Sequence, residues 1–481
     1  MDRDAIVVGG GVSGLAAALG LARQGWRVRV IERDPTPTPT SADEAFEWDR
    51  RGAPQVRHSH AFLARLRNLL REHYPDVLDD LLAAGANEMR FGEGLPETMT
   101  GYAPDPTDDE LVLIACRRTT FEWVLRRAAA REGAVEFIVG SGVVGLLHEP
   151  GTPPIVTGVR LEDGRELPAA LTVVANGRRS AAPAWLADIG AAAVDETVED
   201  TGIVYFSRFY RLRPGQVVPP RTGPIGGDLG YLKYGVFAGD NGTFSITLAT
   251  STDDDALRPL LDDEATFDLV SKNLVVTGPY LDGRAEPITG VHKMAGLVNR
   301  WREYFPDGPP VALGLHVIGD ARLCTNPLYG RGCSTGFWHA HLMTEAVVAH
   351  PDDLAAQAAA LEAATLEHLF PWYRASVDQD LEARRVAGKI LAGADPDDDP
   401  NDPRTFMRSI FREGLLPALR TDIVVLRAFF RSFNLLTPPD ALMTDSEVTS
   451  RVFAVFSDRE NRPAEPILGP RRAELLELLH V

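Results

Sequence analysis

The first hydrophobic pattern in the chain covers residues 5–33. Residues 5–8 are all apolar, as in a parallel strand that is buried on both faces. A glycine-rich turn follows, residues 15–24 continue as an alanine- and leucine-rich helix that ends at Gly25, and residues 26–31 alternate as a second strand. This order predicts the strand–turn–helix–strand unit that binds dinucleotides.

The turn itself has the G-x-G-x-x-G spacing, and each glycine has a physical role. The first permits a tight turn, the second lets the backbone approach a pyrophosphate, and the third lets the helix pack against the strand with its N-terminus toward the phosphates. An acidic residue ends the second strand, where its carboxylate can accept ribose hydroxyls. The predicted cofactor residues of this unit are Gly9, Gly11, Val12, Ser13, Gly14, Glu32 and Arg33.

The same glycine spacing recurs at Gly140, Gly142 and Gly145 in a different context. No helix pattern follows this copy, and residues 135–174 alternate as successive strands with a hairpin signal at residues 162–164. Without a helix N-terminus the copy lacks the dipole that would hold a phosphate. We therefore interpret it as one strand continuing into the next.

The remaining pattern divides into a sheet-rich stretch, a helical stretch and two polar loops. Residues 201–292 are β-rich and aromatic, and the chain is mostly helical from residue 352. We expect the polar loop 35–44 to be mobile and the acidic loop 394–400, which lacks the glycine and glutamate of an EF-hand, to be solvated. The apolar helix pattern at residues 422–436 predicts packing on the main body.

Composition and charge narrow the classes of function. The 481 residues carry a net charge of −19, a field that repels phosphate backbones and anionic membranes, so no nucleic-acid partner is expected. No apolar run is long enough for stable membrane insertion, and the N-terminus lacks a signal-peptide pattern. The cysteines, Cys116, Cys324 and Cys333, have no metal or disulfide-framework spacing, which predicts reduced thiols and a cytoplasmic location.

Residues 317–336 decide which dinucleotide is held. They form a strand, Asp320, a loop with Pro327, Gly330 and Gly332, and then Cys333 at the start of an apolar helix. This segment resembles the Gly-Asp motif of flavoprotein monooxygenases of the para-hydroxybenzoate hydroxylase type. The resemblance implies FAD, with the aspartate on the ribitol and the loop and helix N-terminus against the isoalloxazine, where they would stabilise negative charge on reduced flavin.

Further stretches resemble the same family, and together the matching stretches extend over about the first 345 residues. Arg118 begins a segment similar to the family's Arg-x-x-Leu-Glu helix, whose arginine reaches the cofactor, although Arg117 is an alternative contact. Val143 falls where the family's strand passes the adenine. Asn176 departs from the acid or threonine usual in the family's middle motif, so no charge-based role in handling a nicotinamide is assigned there.

Residues 51–60 are similar to a Pro-Gln-x-x-His-x-His segment of a subgroup that includes polyketide epoxidases. Its two histidines project oppositely on a strand, so a metal site from this pair is not expected. They either lie beside the flavin or substrate, or end a loop before a helix at residues 61–70. The aromatic sheet would line the pocket in this family, and the substrate-lining candidates are His58, His60, Tyr205 and Tyr234.

The sequence thus predicts an α/β protein with a Rossmann-like FAD-binding domain on a parallel sheet (residues 1–190 and 291–350), an antiparallel β-rich substrate domain (191–290) and a helical C-terminal region (351–481). The resemblance implies a monooxygenase that hydroxylates or epoxidises an apolar or aromatic small molecule through a C4a-hydroperoxyflavin. Electrons would come from transiently bound NAD(P)H or from a separate flavin reductase.

No residue identifies itself as a catalytic base, and the oligomeric state is left open. Two alternatives share the cofactor domain: a flavin-dependent reductase of prenyl-like chains, and a non-redox protein that keeps FAD as a scaffold and binds or cyclises a polyketide.

Overall fold

The computed structural model describes residues 3–221, 223–306, 308–397, 402 and 404–480. Residues 398–400 of the predicted acidic loop lie outside the described residues.

The strands lie within residues 4–324. They are β1 (Asp4–Val8), β2 (Arg27–Glu32), β3 (Asn87–Arg90), β4 (Val112–Ala115), β5 (Val135–Val139), β6 (Val143–Glu149), β7 (Ile155–Leu161), β8 (Glu166–Pro168), β9 (Leu171–Val174), β10 (Asp195–Asp200), β11 (Ile203–Leu212), β12 (Gly226–Asp228), β13 (Leu232–Ala238), β14 (Thr243–Ser251), β15 (Ala285–Pro287), β16 (His292–Met294), β17 (Val298–Glu303), β18 (Leu315–Val317) and β19 (Leu323–Cys324).

Helices surround these strands and form most of the last third. They are α1 (Val12–Arg23), α2 (Ala42–Phe46), α3 (Ala64–His73), α4 (Pro75–Ala83), α5 (Arg118–Arg131), α6 (Ala182–Asp188), α7 (Glu264–Lys272), α8 (Gly332–Ala349), α9 (Leu354–His368), α10 (Phe370–Leu391), α11 (Thr405–Ile410), α12 (Leu416–Thr421), α13 (Ile423–Phe433), α14 (Ala441–Thr444), α15 (Ser446–Ser457) and α16 (Arg472–Leu478), with a π-helix at Phe411–Leu415 between α11 and α12.

A five-stranded parallel sheet in the order β18-β9-β1-β2-β5 forms the nucleotide-binding half. Residues Ala5, Ile6 and Val7 of its central strand have no exposed surface, because helices cover one face of the sheet and the β6–β8 sheet packs near the other. Helices α1, α5 and α8 pack on the first face. The predicted Rossmann-like unit and its parallel sheet are confirmed, and the second glycine copy lies between β5 and β6 with no helix.

A second sheet, antiparallel in the order β12-β13-β14-β11-β15 with β16 also paired to β11, confirms the β-rich prediction for residues 201–292. Alternate residues divide between its faces. One face, with Phe206, Tyr210 and Tyr234, packs on α7 and α16. The other face, with Tyr205 and Ser207, lies toward residues 58–60 of the nucleotide-binding half. The helix α7 within this stretch was not predicted.

A buried ion pair joins the two halves. Asp240, in the turn between β13 and β14, has no exposed surface and accepts hydrogen bonds from the Arg117 backbone N–H (2.7 Å), the Arg117 guanidinium (2.6 Å) and the Thr120 hydroxyl (2.9 Å). Burial alone would raise the pKa of Asp240, but the hydrogen bonds and charge of Arg117 lower it. Arg117 therefore binds the antiparallel sheet, and Arg118 is the arginine that faces the cofactor side.

The C-terminal helices pack on both halves. Arg427 of α13 donates to Asp108 at 2.8 Å, and the ring of Phe430 meets that of Phe91 at 5.2 Å, in agreement with the predicted packing of this helix. Helix α3 begins at Ala64, three residues later than predicted, because Phe62 pairs with Ile114 of β4 as an isolated bridge. Within the described part of the chain, no helix is both long and apolar enough to cross a bilayer.

Replacement of Arg117 by methionine should strongly destabilise the fold, because it leaves the Asp240 carboxylate buried without its cation. The expected loss is about 3–5 kcal/mol in the free energy of unfolding, measured by urea denaturation. Arg51→Met is the matched control, since Arg51 pairs with Asp49 at the solvent-exposed surface and its loss should have little effect on stability. Equal effects of the two substitutions would contradict the assignment of Arg117 as the link between the sheets.

Candidate functional site

The glycine turn after β1 is shaped by close backbone contacts. Gly9 has a φ of +109°, and a Cβ there would lie 2.7 Å from the carbonyl oxygen of Ala175. A Cβ on Gly14 would overlap the Gly9 carbonyl oxygen, so only glycine lets α1 start this close to β1. At Gly11, by contrast, a Cβ would meet nothing within 4 Å. The turn therefore leaves open space at the N-terminus of α1, next to Val12.

Ser13 connects this turn to the second cofactor motif. Its hydroxyl oxygen lies against Gly319 and Gly336, where any side chain would collide with it. Gly319, with a φ of +58°, immediately precedes Asp320, and Gly336 lies in the first turns of α8. The first and last motifs of the predicted FAD site, more than 300 residues apart in sequence, are thus in contact.

At the end of β2, Glu32 is 8% exposed and accepts backbone hydrogen bonds from Gly10 (3.0 Å) and Asp34 (2.9 Å). The neighbouring segment 140–143 reaches the same place, because the N–H of Gly140 donates to the Glu32 carbonyl at 2.9 Å. A Cβ on Gly142 would lie 3.5 Å from the Arg33 side chain, and Val143 follows as the partly exposed first residue of β6. Glu32, Arg33 and Val143 therefore share one end of the site.

Arg50 is a residue of this site that sequence reasoning missed. Its buried guanidinium lies 2.7 Å from the Glu122 carboxylate and 3.3 Å from those of Glu32 and Asp34. Burial alone would lower the pKa of Arg50, but the carboxylates of Glu122, Glu32 and Asp34 outweigh it and raise the pKa. Adjacent Arg51 is exposed, and nothing in the sequence distinguishes one arginine from the other.

Arg126 carries a buried donor beside the glycine turn. Its Nη1 atom has no hydrogen-bond partner among the described residues and lies 3.3 Å from where a Cβ on Gly10 would stand. Its Nε donates to Thr38 at 2.8 Å, and with Trp123, which donates to the Pro39 carbonyl, it attaches the loop 35–41 to α5. An unpaired buried cation next to the predicted pyrophosphate position fits an anionic ligand.

Arg118 occupies the other end of the site, at the start of α5. It donates to Glu122 at 3.2 Å, to the Cys333 sulfur at 2.8 Å and to the His60 Nε2 at 3.4 Å. His60 Nδ1 is 2.9 Å from the His58 carbonyl, which can only accept, so Nδ1 carries the proton and Nε2 accepts from Arg118. His60 therefore orients Arg118 and is not arranged as a base.

Asp320 follows β18 and lies close to two cations. Burial raises the pKa of its carboxyl, while the charges of Arg118 and Arg178 act to lower it. The preceding Gly319 N–H donates to His339 Nδ1 at 3.1 Å, which fixes the backbone at this point. The structure thus brings Asp320 to the same place as Arg118 and Cys333.

The loop before α8 completes this end. The Asn326 side chain accepts from the Leu328 N–H at 3.0 Å, Pro327 begins a short 3-10 turn, and Gly330 closes it with a φ of +66°. A Cβ on Gly332, the first residue of α8, would meet nothing within 4 Å. The N-terminus of α8 therefore faces open space beside Arg118 and Asp320, a position suited to negative charge.

Three of the four substrate-lining candidates, His58, His60 and Tyr205, lie together, and Tyr234 lies apart. His58 is 4% exposed, its Nδ1 is 3.1 Å from the Ser207 hydroxyl, and its ring meets that of Tyr205 edge-on at 4.9 Å. Burial lowers the pKa of His58 to about 3. Tyr234 lies on the opposite face of the sheet, where its hydroxyl donates to the Leu468 carbonyl at 2.6 Å. The structure therefore groups Tyr205 with the histidines and does not bring Tyr234 to them.

These contacts fit FAD on observations of the chain itself. One end offers a glycine turn with open space, the Glu32 carboxylate and the unpaired Arg126 donor. The other end offers Asp320, Arg118 and the α8 N-terminus, and Ser13 lies where the two ends meet. Among the described residues, no cluster of three or more His, Cys, Asp or Glu side chains could hold a metal ion.

Comparison with known proteins agrees with this assignment. The sequence profile of the FAD dependent oxidoreductases (DAO) matches residues 4–78. Over 471 residues the chain is 27% identical to Protein Rv3254 of Mycobacterium tuberculosis (strain ATCC 25618 / H37Rv), covering 90% of this chain and 89% of that protein. Over 182 residues it is 32% identical to the probable 2-heptyl-3-hydroxy-4(1H)-quinolone synthase AqdB2 of Rhodococcus erythropolis, covering 37% and 40% of the two chains.

A solved structure has the same fold. PqsL of Pseudomonas aeruginosa, described as a probable FAD-dependent monooxygenase, superposes with a TM-score of 0.56 at 17% identity, covering 80% of this chain and 96% of PqsL. The prediction of a Rossmann-like FAD-binding fold with an antiparallel sheet and C-terminal helices is confirmed, and so is the prediction of FAD as cofactor. Residues 4–78 are thus similar to the FAD dependent oxidoreductases, and the chain as a whole has the fold of PqsL.

Replacement of Gly14 by alanine should weaken FAD binding, because the added methyl collides with the Gly9 carbonyl and moves α1 away from the turn. Overpacking of about 1–3 kcal/mol corresponds to roughly 5- to 150-fold weaker binding. The measurement is the flavin content of purified protein and titration of the apoprotein with FAD. Gly133→Ala is the control, since a Cβ at Gly133 meets nothing within 4 Å, and unchanged affinity in Gly14→Ala would contradict the assigned turn.

Acidification should destabilise the fold through His339. Burial lowers the pKa of His339 to about 3, from about 6.5 in an unfolded chain, so its stabilising contribution is complete above pH 6.5 and is lost as the pH falls below it. At pH 5 this residue alone should cost about 2 kcal/mol, from 1.36 kcal/mol per pKa unit.

The check is urea denaturation at pH 7 and pH 5. His339→Gln removes the titrating ring, so this variant should lose less stability than the parent chain on acidification. His148→Gln changes an exposed histidine and should keep the parent's pH dependence. Equal pH dependence in His339→Gln and the parent chain would refute the prediction.

Proposed function

We propose that this protein is an FAD-dependent monooxygenase that inserts one oxygen atom of O2 into an apolar or aromatic small molecule. The observation that carries the proposal is the contact of Arg118 with Cys333 in the first turn of α8, close enough to Asp320 for the arginine charge to act on that carboxyl. That contact lies beside an aromatic sheet face with Tyr205, across from His58. A redox cofactor held there would be next to a surface of aromatic and hydroxyl side chains.

The roles of the chain's own residues follow from their positions. Gly9, Gly11, Gly14, Val12 and Ser13 would hold the pyrophosphate, and Glu32, Arg33 and Val143 the adenosine. Asp320 would bind the ribitol and Arg118 an oxygen of the same chain. Bound FAD supplies electron transfer to oxygen. The loop of Pro327, Gly330, Gly332 and Cys333 would stabilise negative charge on its reduced form.

The substrate pocket would lie between the aromatic sheet face and residues 58–60. The rings of His58 and Tyr205 pack edge-to-face on each other there, and the hydroxyls of Ser207, Thr247, Ser59 and Ser245 join in one hydrogen-bonded chain with spacings of 2.7–2.8 Å. This mixture of aromatic and hydroxyl groups suits an aromatic substrate with a polar substituent. The names of the relatives agree, since AqdB2 is named for a quinolone and PqsL has been crystallised with 2-aminobenzoylacetate.

The remaining assignments are proposals of the same kind. Residues 1–190 and 291–350 would form the FAD domain, residues 191–290 the substrate domain and residues 351–481 a supporting helical region. The Pro-Gln-x-x-His-x-His segment favours the subgroup that includes polyketide epoxidases. NAD(P)H or a separate flavin reductase would supply electrons, and the three buried, unpaired cysteines suit the reducing cytoplasm.

Stopped-flow mixing of the reduced holoprotein with oxygenated buffer tests the proposal, with and without a 2-alkyl-4-quinolone as trial substrate. We expect a transient flavin absorbance that precedes the oxidised spectrum, and a product that gains one oxygen atom from 18O2 by mass spectrometry. A matched anaerobic reaction controls for simple reduction of the substrate. Anaerobic product formation would favour the prenyl-type reductase, and turnover without reductant would favour the non-redox scaffold.

A further inference from the structure

Helix α10 of the C-terminal region presents three side chains to the loop that precedes α8. Trp372, Ser376 and Asp380 are spaced by four residues, so they form one stripe along the helix. All three are buried. The residues that they contact are Asn326, Tyr329 and Arg331, which flank and form the loop of Pro327 and Gly330.

Asp380 is the centre of this contact. One carboxylate oxygen accepts from the Asn326 amide at 2.7 Å and the Tyr329 hydroxyl at 2.8 Å, and the other accepts from the Asn299 amide at 2.6 Å. Burial raises the pKa of Asp380, and these hydrogen bonds act to lower it. A buried carboxylate with three donors orders each of them, since a donor that moved away would leave the acceptor unsatisfied.

Asn326 connects Asp380 to the backbone of the loop. Its backbone N–H donates to the Asn299 side chain at 2.8 Å, and its side-chain oxygen accepts from the Leu328 N–H at 3.0 Å. Asn326 and Asn299 have no exposed surface. Each amide therefore has a defined orientation. The loop is held at Asn326, at the Leu328 N–H and at the Tyr329 hydroxyl.

Arg331 adds a second attachment on the other side of Gly330. Its guanidinium lies 5.0 Å from the Tyr329 ring and 4.7 Å from the Trp372 ring, and it donates to the Ser376 hydroxyl at 3.3 Å. Burial lowers the pKa of Arg331 to about 10, although the neighbouring Tyr329 and Asp380 act to raise it. The stacking between two rings fixes the residue immediately before α8.

The physical consequence concerns the backbone N–H groups of this loop and of the first turn of α8. Donors that are held in place stabilise a developing negative charge without reorganising, and they lose that effect when they are free to move by about 1 Å. Reduced flavin carries more negative charge than oxidised flavin. A rigid loop would therefore favour the reduced form, and a loosened loop would not.

We propose that Asp380 is a positioning residue through which the C-terminal helical region holds the loop of residues 326–331 and raises the reduction potential of bound FAD. The inference rests on the proposed function, because it requires that FAD binds against this loop. It assigns the C-terminal region a part in cofactor chemistry although that region lies outside the nucleotide-binding sheet.

The test is spectroscopic redox titration of the full-length holoprotein and of its Asp380→Asn variant. Loss of a negative charge would by itself raise the potential of the flavin, whereas loss of loop position would lower it. We expect a lower potential, with reduced FAD losing about tenfold more affinity than oxidised FAD, which equals about 30 mV for a two-electron couple. An unchanged or higher potential would overturn the proposal.

Asp378→Asn is the matched control. It removes the same charge from the same helix at an exposed position two residues away, and should leave the potential unchanged. An equal fall in both variants would also overturn the proposal, because it would show that the position of the carboxylate does not matter.

If Asp380→Asn does not retain FAD, the Tyr329→Phe variant tests the proposal by the same redox titration. It removes one hydrogen bond to Asp380 and keeps both the carboxylate and the ring beneath Arg331. We expect a smaller fall in potential, and no fall would contradict the proposal. A parent protein that binds no FAD would refute the proposed function itself, which separates the two failures.

Discussion

A chain of alternating buried charges runs through the cofactor site, and the placement of both its ends depends on it. Glu32 contacts Arg50, Arg50 contacts Glu122, and Glu122 contacts Arg118, with spacings of 3.3, 2.7 and 3.2 Å. Each of these groups would be costly to bury alone, so each requires its neighbours in position. The Glu32 carboxylate at the end of β2 is thereby connected to Arg118 at the start of α5. The same electrostatic requirement therefore sets the position of β2 relative to α5.

The antiparallel sheet contributes through the alternation of its faces. One face packs on α7 and α16 in a buried hydrophobic cluster, while the other faces residues 58–60 and has a more polar composition. The Arg117–Asp240 pair sets the position of this sheet relative to α5, and α5 also carries Arg118 and Glu122. The N-terminal turn of α5 therefore contacts both the antiparallel sheet, through Arg117 and Thr120, and the charged chain of Glu122 and Arg118.

The C-terminal helices continue the same arrangement on the far side of the site. Helix α10 reaches the loop before α8 through a stripe of three residues, and α13 reaches the segment around Phe91 and Asp108. Both contacts use buried or half-buried polar groups in addition to apolar packing, and such groups specify one geometry more narrowly than apolar surface does. The helical region is thus a support for the site as well as a cover for the sheet.

The sequence by itself determined the parts whose physics is local. The glycine turn, the strand ending at Glu32, the Gly319-Asp320 segment and the helix beginning at Gly332 follow from short-range backbone geometry and hydrophobic period, so their positions along the chain were predictable. Arg50 could not be separated from Arg51, nor Tyr205 from Tyr234, because burial and sheet face are decided by what packs against a residue. The same holds for Asp380, whose three donors come from segments 51 to 81 residues away. Only the tertiary structure brings such groups together, because the partners of a buried polar contact are distant in sequence and no local pattern pairs them.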